Sequence, residues 1–153
     1  MESTGQTIEF YVPAIPLAQP RQRVRVMHMG GKAIAQNYTP AKHPVNAYKA
    51  AVQLAYSWLP TALATGPLSG PLRVDCVFVM PRPKSKIWKT KPMPRERHCI
   101  KPDRDNLLKS TLDALNGIAW VDDSQICAGE CEKWVAAGDE SPHVRITIRS
   151  IED

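Results

Sequence analysis

No apolar run in this sequence approaches the ~20 consecutive residues that a membrane-spanning helix needs. Residues 1–6 also lack the basic and apolar regions of a secretory signal peptide. We therefore expect a cytoplasmic protein with no membrane partner. With 153 residues and no internal repeat, the sequence predicts a single domain over residues 1–153 with a core of modest size.

The sequence also lacks a paired C-x-x-C motif, although it contains four cysteines. Without a secretory signal, reduced thiols are expected rather than disulfides. A zinc cluster is an alternative, because three residues separate Cys127 from Cys131 and Cys99 follows His98. The histidines fit no ligand spacing, with His98 kept as an alternative phosphate contact, and no small-molecule cofactor is expected.

Acidic residues are almost missing from residues 13–43 and 81–101, which we call basic segment 1 and basic segment 2. Together these segments hold 13 basic residues and one acid, a local charge of +12, whereas the remainder carries −7. Such separation favours a polyanionic partner, although two solvated basic loops are an alternative. The expected DNA-contacting residues are Arg21, Arg23, Arg25, Lys84, Lys86, Lys89, Lys91, Arg95, Arg97 and Lys101.

Hydrophobic periodicity predicts an α/β fold, a small mixed sheet flanked by helices in the order β-α-β-α-β-β. The predicted strands are 7–12, 72–80, 126–135 and 144–148, and the predicted helices are 45–58 and 103–116. Basic segment 1 shows no period and is predicted to be a long loop or arm.

Apolar stripes at helical spacing predict which side of each helix is buried. The stripe on the first helix consists of Ala47, Ala50, Ala51, Leu54, Ala55 and Trp58. On the second helix, Leu108, Leu112 and Leu115 are predicted to pack inward.

Several acidic residues and one lysine surround the second predicted helix. Asp103 and Asp105 lie two residues apart where the chain is still extended, so they can face the same side. Their repulsion is relieved if Mg²⁺ or Mn²⁺ lies between them. Lys109 follows Asp105 by one helical turn, and Asp122 and Asp123 can return to the same end. A third carboxylate would complete a site for metal-assisted phosphodiester hydrolysis.

Each of these residues also has a structural interpretation. Asp103 and Asp105 suit a helix N-terminus, where the macrodipole favours anions. Lys109 can pair with Asp105 or Asp113 on the helix surface, and residues 122–124 suit a turn. Spacing alone leaves these interpretations open beside that of a metal nuclease.

Three segments resemble the core of the RusA family of Holliday junction resolvases. They are PDRDNLLK at 102–109, LDALNG at 112–117 and WVDDSQI at 120–126, with looser similarity at 20–23 and 38–40. The resemblance implies acidic catalytic residues at Asp103, Asp105 and Asp123 and a catalytic lysine at Lys109. Asp122 matches the first of the family's paired aspartates and is a secondary candidate.

The resemblance further implies a Mg²⁺-dependent endodeoxyribonuclease, with Mn²⁺ as a substitute, that acts as a homodimer. Such an enzyme resolves four-way DNA junctions by paired symmetric nicks during recombination and repair, and a phage or prophage origin in a bacterial cytosol is expected. The alternatives are a non-catalytic protein that binds branched DNA and a metal nuclease that prefers flaps or forks. Trp88 in basic segment 2 either stacks on an unpaired base or packs on the protein surface.

Overall fold

The computed structural model describes residues 6–20, 23–38, 40–64 and 66–152. Within these ranges, two α-helices and eight strands form in the order β1 (Thr7–Val12), β2 (Arg23–Met29), β3 (Lys32–Tyr38), α1 (Pro44–Ser57), β4 (Leu72–Met80), β5 (Glu96–Arg97), α2 (Arg104–Leu115), β6 (Ile126–Ala128), β7 (Cys131–Val135) and β8 (His143–Ser150). The predicted mixed α/β fold with one main sheet and two helices is confirmed. No helix in the described ranges is long and apolar enough to cross a membrane.

Six strands form the main sheet. Five of them lie in the order β1-β8-β4-β7-β5, and β6 pairs with the first residues of β4, before the part of β4 that pairs with β7. Strand β4 runs parallel to β6 and β7, whereas the β1–β8, β4–β8 and β5–β7 pairs are antiparallel. The parallel β4–β7 pair requires a crossover connection, and α2 lies within it. This crossover places the start of α2, with its acidic residues, beside β7.

The core lies between one face of the sheet and the two helices. Alternation along β1 buries Ile8, Phe10 and Val12 while their neighbours face solvent, as a half-buried strand requires. Trp120 is fully buried in the same cluster. Its burial matters for the site because its indole N–H must find a partner.

Basic segment 1 contains a β-hairpin, so the prediction of a loop without regular structure was wrong. Strands β2 and β3 pair antiparallel through Met29↔Lys32. The turn consists of Gly30 and Gly31, which both have positive φ, 57° and 79°. Two consecutive positive φ angles are what a tight two-residue hairpin needs, and glycine adopts them without strain.

The predicted strand 126–135 is divided into β6 and β7 at Gly129. Gly129 has a φ of 146°, and a Cβ atom there would collide with the backbone carbonyl of Val74. The close approach of β4 therefore requires glycine and interrupts the ladder. The predicted element order also lacked β2, β3 and the two-residue strand β5.

The buried side of α1 differs from the predicted stripe. Val45, Tyr48, Val52, Ala55 and Tyr56 are buried, so among the stripe residues only Ala55 is fully buried. Val45, Val52 and the two tyrosines remove more apolar surface from water than Ala47 and Ala50 would in their place. The predicted stripe residues left exposed are Ala47, Ala50, Leu54 and Trp58.

On α2 the inward prediction is confirmed: Leu115 is fully buried, and the half-buried Leu108 and Leu112 pack against the core cluster. Leu107 and Ala114 are also fully buried. Leu108 and Leu112 in addition line surface depressions beside the acidic residues.

Candidate active site

Asp103 is the N-cap residue of α2, but its side chain makes no capping hydrogen bond. Its backbone carbonyl accepts the amide of Leu107 at 3.1 Å, so the helix begins without the carboxylate. Asp105 lies in the first turn, and both carboxylates are exposed. The capping interpretation therefore does not explain Asp103, although Asp105 still benefits from the helix dipole.

Strand β7 holds the chain on both sides of Asp103. Lys133 Nζ donates to the carbonyl oxygens of Ile100 at 2.8 Å and Pro102 at 2.7 Å. Arg104 Nη1 donates to the carbonyl oxygen of Cys131 at 3.3 Å. The position of Asp103 is therefore set by the sheet, and the sequence pattern did not single out Lys133 or Arg104.

Lys109 lies one turn after Asp105 and is exposed. Of its two expected surface partners, Asp105 and Asp113, the second instead forms an ion pair with Lys49 of α1 at 2.8 Å. Within the described part of the chain no ion pair involves Lys109. The surface-pair interpretation is therefore not supported, and the ammonium group is available to an anionic ligand.

Asp123 is half-buried and is held by the core. Its Oδ1 accepts a hydrogen bond from Trp120 Nε1 at 2.7 Å. Burial raises the pKa of Asp123, and the neighbouring carboxylates of Asp113 and Asp122 add to the effect, while the indole hydrogen bond opposes it. A nearby cation would relieve both the burial cost and the repulsion by favouring the ionised form.

Asp122 has a structural role, as the turn interpretation predicted. Its carboxylate accepts hydrogen bonds from the backbone and the hydroxyl of Ser124, and its own amide donates to Gln125 Oε1 at 2.8 Å. These bonds from Ser124 lower the pKa of Asp122. A carboxylate occupied in this way is a poorer candidate for ligand binding than Asp123.

Asp105 and Asp123 line neighbouring surface depressions that share Leu108 and Gly129. Asp103 lines a different depression. Among residues 6–20, 23–38, 40–64 and 66–152, no three His, Cys, Asp or Glu side chains lie close enough together to hold a metal ion. The carboxylate donors suit Mg²⁺ chemically, but the structure does not group all three, so the metal site stays a prediction.

Two further acids lie beside Asp105 that the sequence pattern did not single out. Glu130 and Glu132 line the same depression as Asp105. The signal in the sequence is weak: two acids flank Cys131 at the start of β7, where alternation is poor. Glu132 accepts a hydrogen bond from Trp134 Nε1 at 3.0 Å. These two acids make the depression beside Asp105 strongly acidic, but in the described part of the chain they do not form a metal-binding group with it.

Basic segment 2 is organised around Arg82, whose side chain is only 4% exposed. Its guanidinium donates to the carbonyl oxygens of Lys86 at 2.6 Å and Pro94 at 3.0 Å, and it lies 5.1 Å from the ring centroid of Trp88. Trp88 is thus packed on Arg82 on the protein surface while 37% of it stays exposed. Arg82 therefore holds this loop rather than presenting a charge to solvent.

The predicted DNA-contacting residues of basic segment 2 fall into two groups. Three are engaged within the protein: Lys86 pairs with Glu96 at 2.8 Å, Arg95 pairs with Glu140 at 2.5 Å, and Arg97 stacks 3.9 Å from the Trp134 ring centroid. The other four are exposed and form no ion pair in the described part of the chain. They are Lys84, Lys89, Lys91 and Lys101.

Burial and the nearby Lys133 lower the pKa of His98, which disfavours a charged imidazolium at this position. The four cysteines are free thiols, and no described cysteine belongs to a group that could hold zinc. Burial raises the pKa of the Cys131 thiol beside the acidic depression.

In basic segment 1, Arg21 lies outside the described residues and Arg23 is the first residue of β2. Arg25 donates from Nε and Nη2 to Gln36 Oε1 at 3.0 and 2.8 Å. Its guanidinium also lies 5.2 Å from the ring centroid of Tyr38. Arg25 is therefore oriented on an exposed surface.

The start of α2 thus presents the exposed carboxylates of Asp103 and Asp105, with the exposed Lys101 and Lys109 on either side of them in the sequence. The sequence matches the family described as endodeoxyribonuclease RusA over residues 13–149. The chain therefore belongs to the RusA endodeoxyribonuclease family, as the resemblance predicted, which places it among the nucleases. It is also similar to the uncharacterized protein YqaN of Bacillus subtilis (strain 168), with 32% identity over 148 residues, covering 94% of this chain and 96% of that protein.

Proposed function

We propose that this protein is a Mg²⁺-dependent endodeoxyribonuclease that resolves four-way DNA junctions by paired nicks during recombination and repair. One observation carries the proposal. In the described part of the chain, Asp103 at the start of α2 makes no capping hydrogen bond, and Lys109 farther along the helix forms no ion pair. Charged groups without a structural role, in a member of this family, favour a role in catalysis.

The carboxylates of Asp103, Asp105 and Asp123 would hold Mg²⁺, with Mn²⁺ as a substitute. The chemistry that a cation held by these residues would supply is polarisation of the scissile phosphate and a lower pKa for an attacking water. Lys109 stabilises the negative charge that develops on the phosphate during cleavage. Trp120 orients Asp123 through its indole hydrogen bond, and Lys133 positions the chain before Asp103.

A homodimer suits the proposed substrate, because resolving a four-way junction requires two nicks related by two-fold symmetry. One active site per subunit would supply both. The exposed lysines of basic segment 2 would hold the DNA backbone, so binding should weaken steeply as salt concentration rises. We place this activity in the bacterial cytosol, with the protein encoded by a phage or prophage.

The test compares cleavage of labelled four-way junction, fork, flap and linear duplex by wild type and Asp105→Asn in Mg²⁺. A matched control is Asp139→Asn, which neutralises an exposed acid in the turn before β8. We expect junction cleavage by wild type and the control, its loss in Asp105→Asn, and its loss in EDTA. Preferred cleavage of forks or flaps would show a fork or flap nuclease instead of a junction resolvase. Tight binding without cutting would support a non-catalytic protein that binds branched DNA.

Cation binding is measured separately by isothermal titration calorimetry, in which Mn²⁺ is added to wild type and to Asp105→Asn without DNA. Heat from wild type and its loss in Asp105→Asn would support the assignment of Asp105 as a ligand. Equal heats from the two proteins would remove Asp105 from the proposed site, whatever the cleavage result.

A further inference from the structure

The β2–β3 hairpin pairs only with itself and contributes no strand to the main sheet. Its apolar side chains are unusually open: Val26 is 62% exposed and Met29 is 60% exposed. A lone two-stranded hairpin is marginally stable in water, and exposed apolar residues grouped together often mark a binding surface. A hairpin with this composition therefore suits an arm that contacts a partner.

The pairing register divides the side chains of the hairpin into two faces. One face, here called the basic face, carries both cations whose side chains the structure describes. Its members are Arg25, Met27, Met29, Lys32, Ile34 and Gln36. The other face carries no formal charge, and its members are Val24, Val26, His28, Ala33, Ala35 and Asn37. Because residues 23–38 contain no acid, the basic face suits a polyanion.

The segment that leads into the hairpin, residues 17–19, is hydrogen-bonded to α2, the helix that carries proposed catalytic residues. The amide of Gln19 donates to the carbonyl oxygen of Asn106 at 3.0 Å. The hydroxyl of Ser110 donates to the carbonyl oxygen of Leu17 at 2.5 Å. Asn106 and Ser110 are each next in sequence to a proposed catalytic residue, so the arm begins beside the candidate site.

The two cations are separated along the length of the hairpin, whose two-stranded ribbon is of a size that the major groove admits. Lys32 lies opposite Met29, four residues along the strand from Arg25, and this separation corresponds to roughly 13 Å at the usual rise per residue. The Met27–Ile34 pair lies midway between the cations on the same face.

We propose that the β2–β3 hairpin is a DNA-binding arm that lays its basic face in the major groove of a duplex next to the cleaved strand. Arg25 and Lys32 contact the phosphate backbone beside the groove, and Met27 and Ile34 meet the base edges. Gln36 and Tyr38 orient the Arg25 side chain before DNA binds. This inference rests on the proposed function for the identity of the ligand as branched DNA.

The test measures binding of a labelled four-way junction by fluorescence anisotropy in EDTA, across a salt series. The first variant is Arg25→Gln/Lys32→Gln, and its control is Arg145→Gln/Arg149→Gln, which removes two exposed cations from β8. Each lost phosphate contact should reduce the slope of log affinity against log salt by about 0.9. We therefore expect a decrease of about 2 in the arm variant and none in the control.

A second pair of variants tests which face contacts DNA. Met27→Ser/Ile34→Ser alters the basic face, and Val24→Ser/Val26→Ser makes an equal change on the uncharged face. We expect weaker junction binding in the first variant only, with unchanged mass in sedimentation. If the second variant instead changes the oligomeric state while junction binding stays normal in both, the hairpin is an interface between copies and the proposal is overturned.

Cleavage by wild type in Mg²⁺, measured in parallel, separates the two proposals. If wild type cuts the junction but Arg25→Gln/Lys32→Gln keeps wild-type affinity and slope, the arm proposal fails alone. If wild type does not cut but the variant loses affinity and slope, the arm proposal stands and the nuclease proposal fails.

Discussion

Replacing Lys133 with methionine tests how the sheet positions the acidic end of α2. The change keeps an unbranched side chain, shorter by one atom, and removes two hydrogen bonds, to the carbonyl oxygens of Ile100 at 2.8 Å and Pro102 at 2.7 Å. A hydrogen bond from a charged donor contributes about 1.5–3 kcal/mol when buried. Because Ile100 is exposed and water can replace the ammonium there, we expect about 2 kcal/mol for the pair.

A loss of that size should lower the Tm by about 4–8 °C in a chain of this length. Cleavage should fall further than stability alone explains, since Asp103 follows directly on the freed segment. The fall should appear in kcat rather than KM, because the exposed lysines that hold DNA are unchanged. Urea unfolding and single-turnover cleavage of a junction measure the two effects.

The matched control is Lys89→Met, which makes the same change at an exposed lysine with no ion pair in the described part of the chain. Lys89→Met should keep wild-type stability and kcat and lose some DNA affinity. A Lys133→Met variant within about 0.5 kcal/mol of wild type, with unchanged kcat, would refute the positioning role.

Three further predictions follow from the packing around the site. The pKa of Asp123 is raised on folding. Wild type should therefore lose stability as the pH rises from the ordinary carboxyl pKa through the raised one. Asp123→Asn should not show this loss when thermal unfolding is measured against pH in EDTA. Gly129→Ala should destabilise by about 2 kcal/mol or more in urea, because its Cβ meets the Val74 carbonyl. Tyr48→Phe should cost about 1 kcal/mol by the same measurement, since the buried Tyr48 hydroxyl bonds Thr111 at 2.7 Å; an unchanged midpoint in either variant would contradict its prediction.

Strong periodic signals predicted most of the sheet and both helices. Alternation identified β1, β4 and β8 because each buries one face of a sheet. Apolar residues at helical spacing after Pro102 identified α2. The hairpin was missed because its alternation is not tied to burial: Val24 and Met29, on opposite faces, are both about 60% exposed. Its two glycines carried a hairpin signal, but the surrounding prolines and arginines favoured a loop.

Within the candidate site, sequence similarity identified residues whose roles the fold later distinguished. Asp122 and Asp123 are adjacent and chemically identical, yet one caps a turn and the other accepts from a core indole. That difference depends on where Trp120 is buried, which no local pattern encodes. Lys133 was not anticipated because its partners are backbone carbonyls about thirty positions away in the sequence.

The most direct test of the central claim maps nicks in a four-way junction, with each of its strands labelled in turn, after incubation with wild type in Mg²⁺. The account predicts nicks at symmetric positions in two strands of like polarity, with linear duplex of the same sequence left intact. Equal cutting of junction and linear duplex, or no cutting in either Mg²⁺ or Mn²⁺, would contradict it.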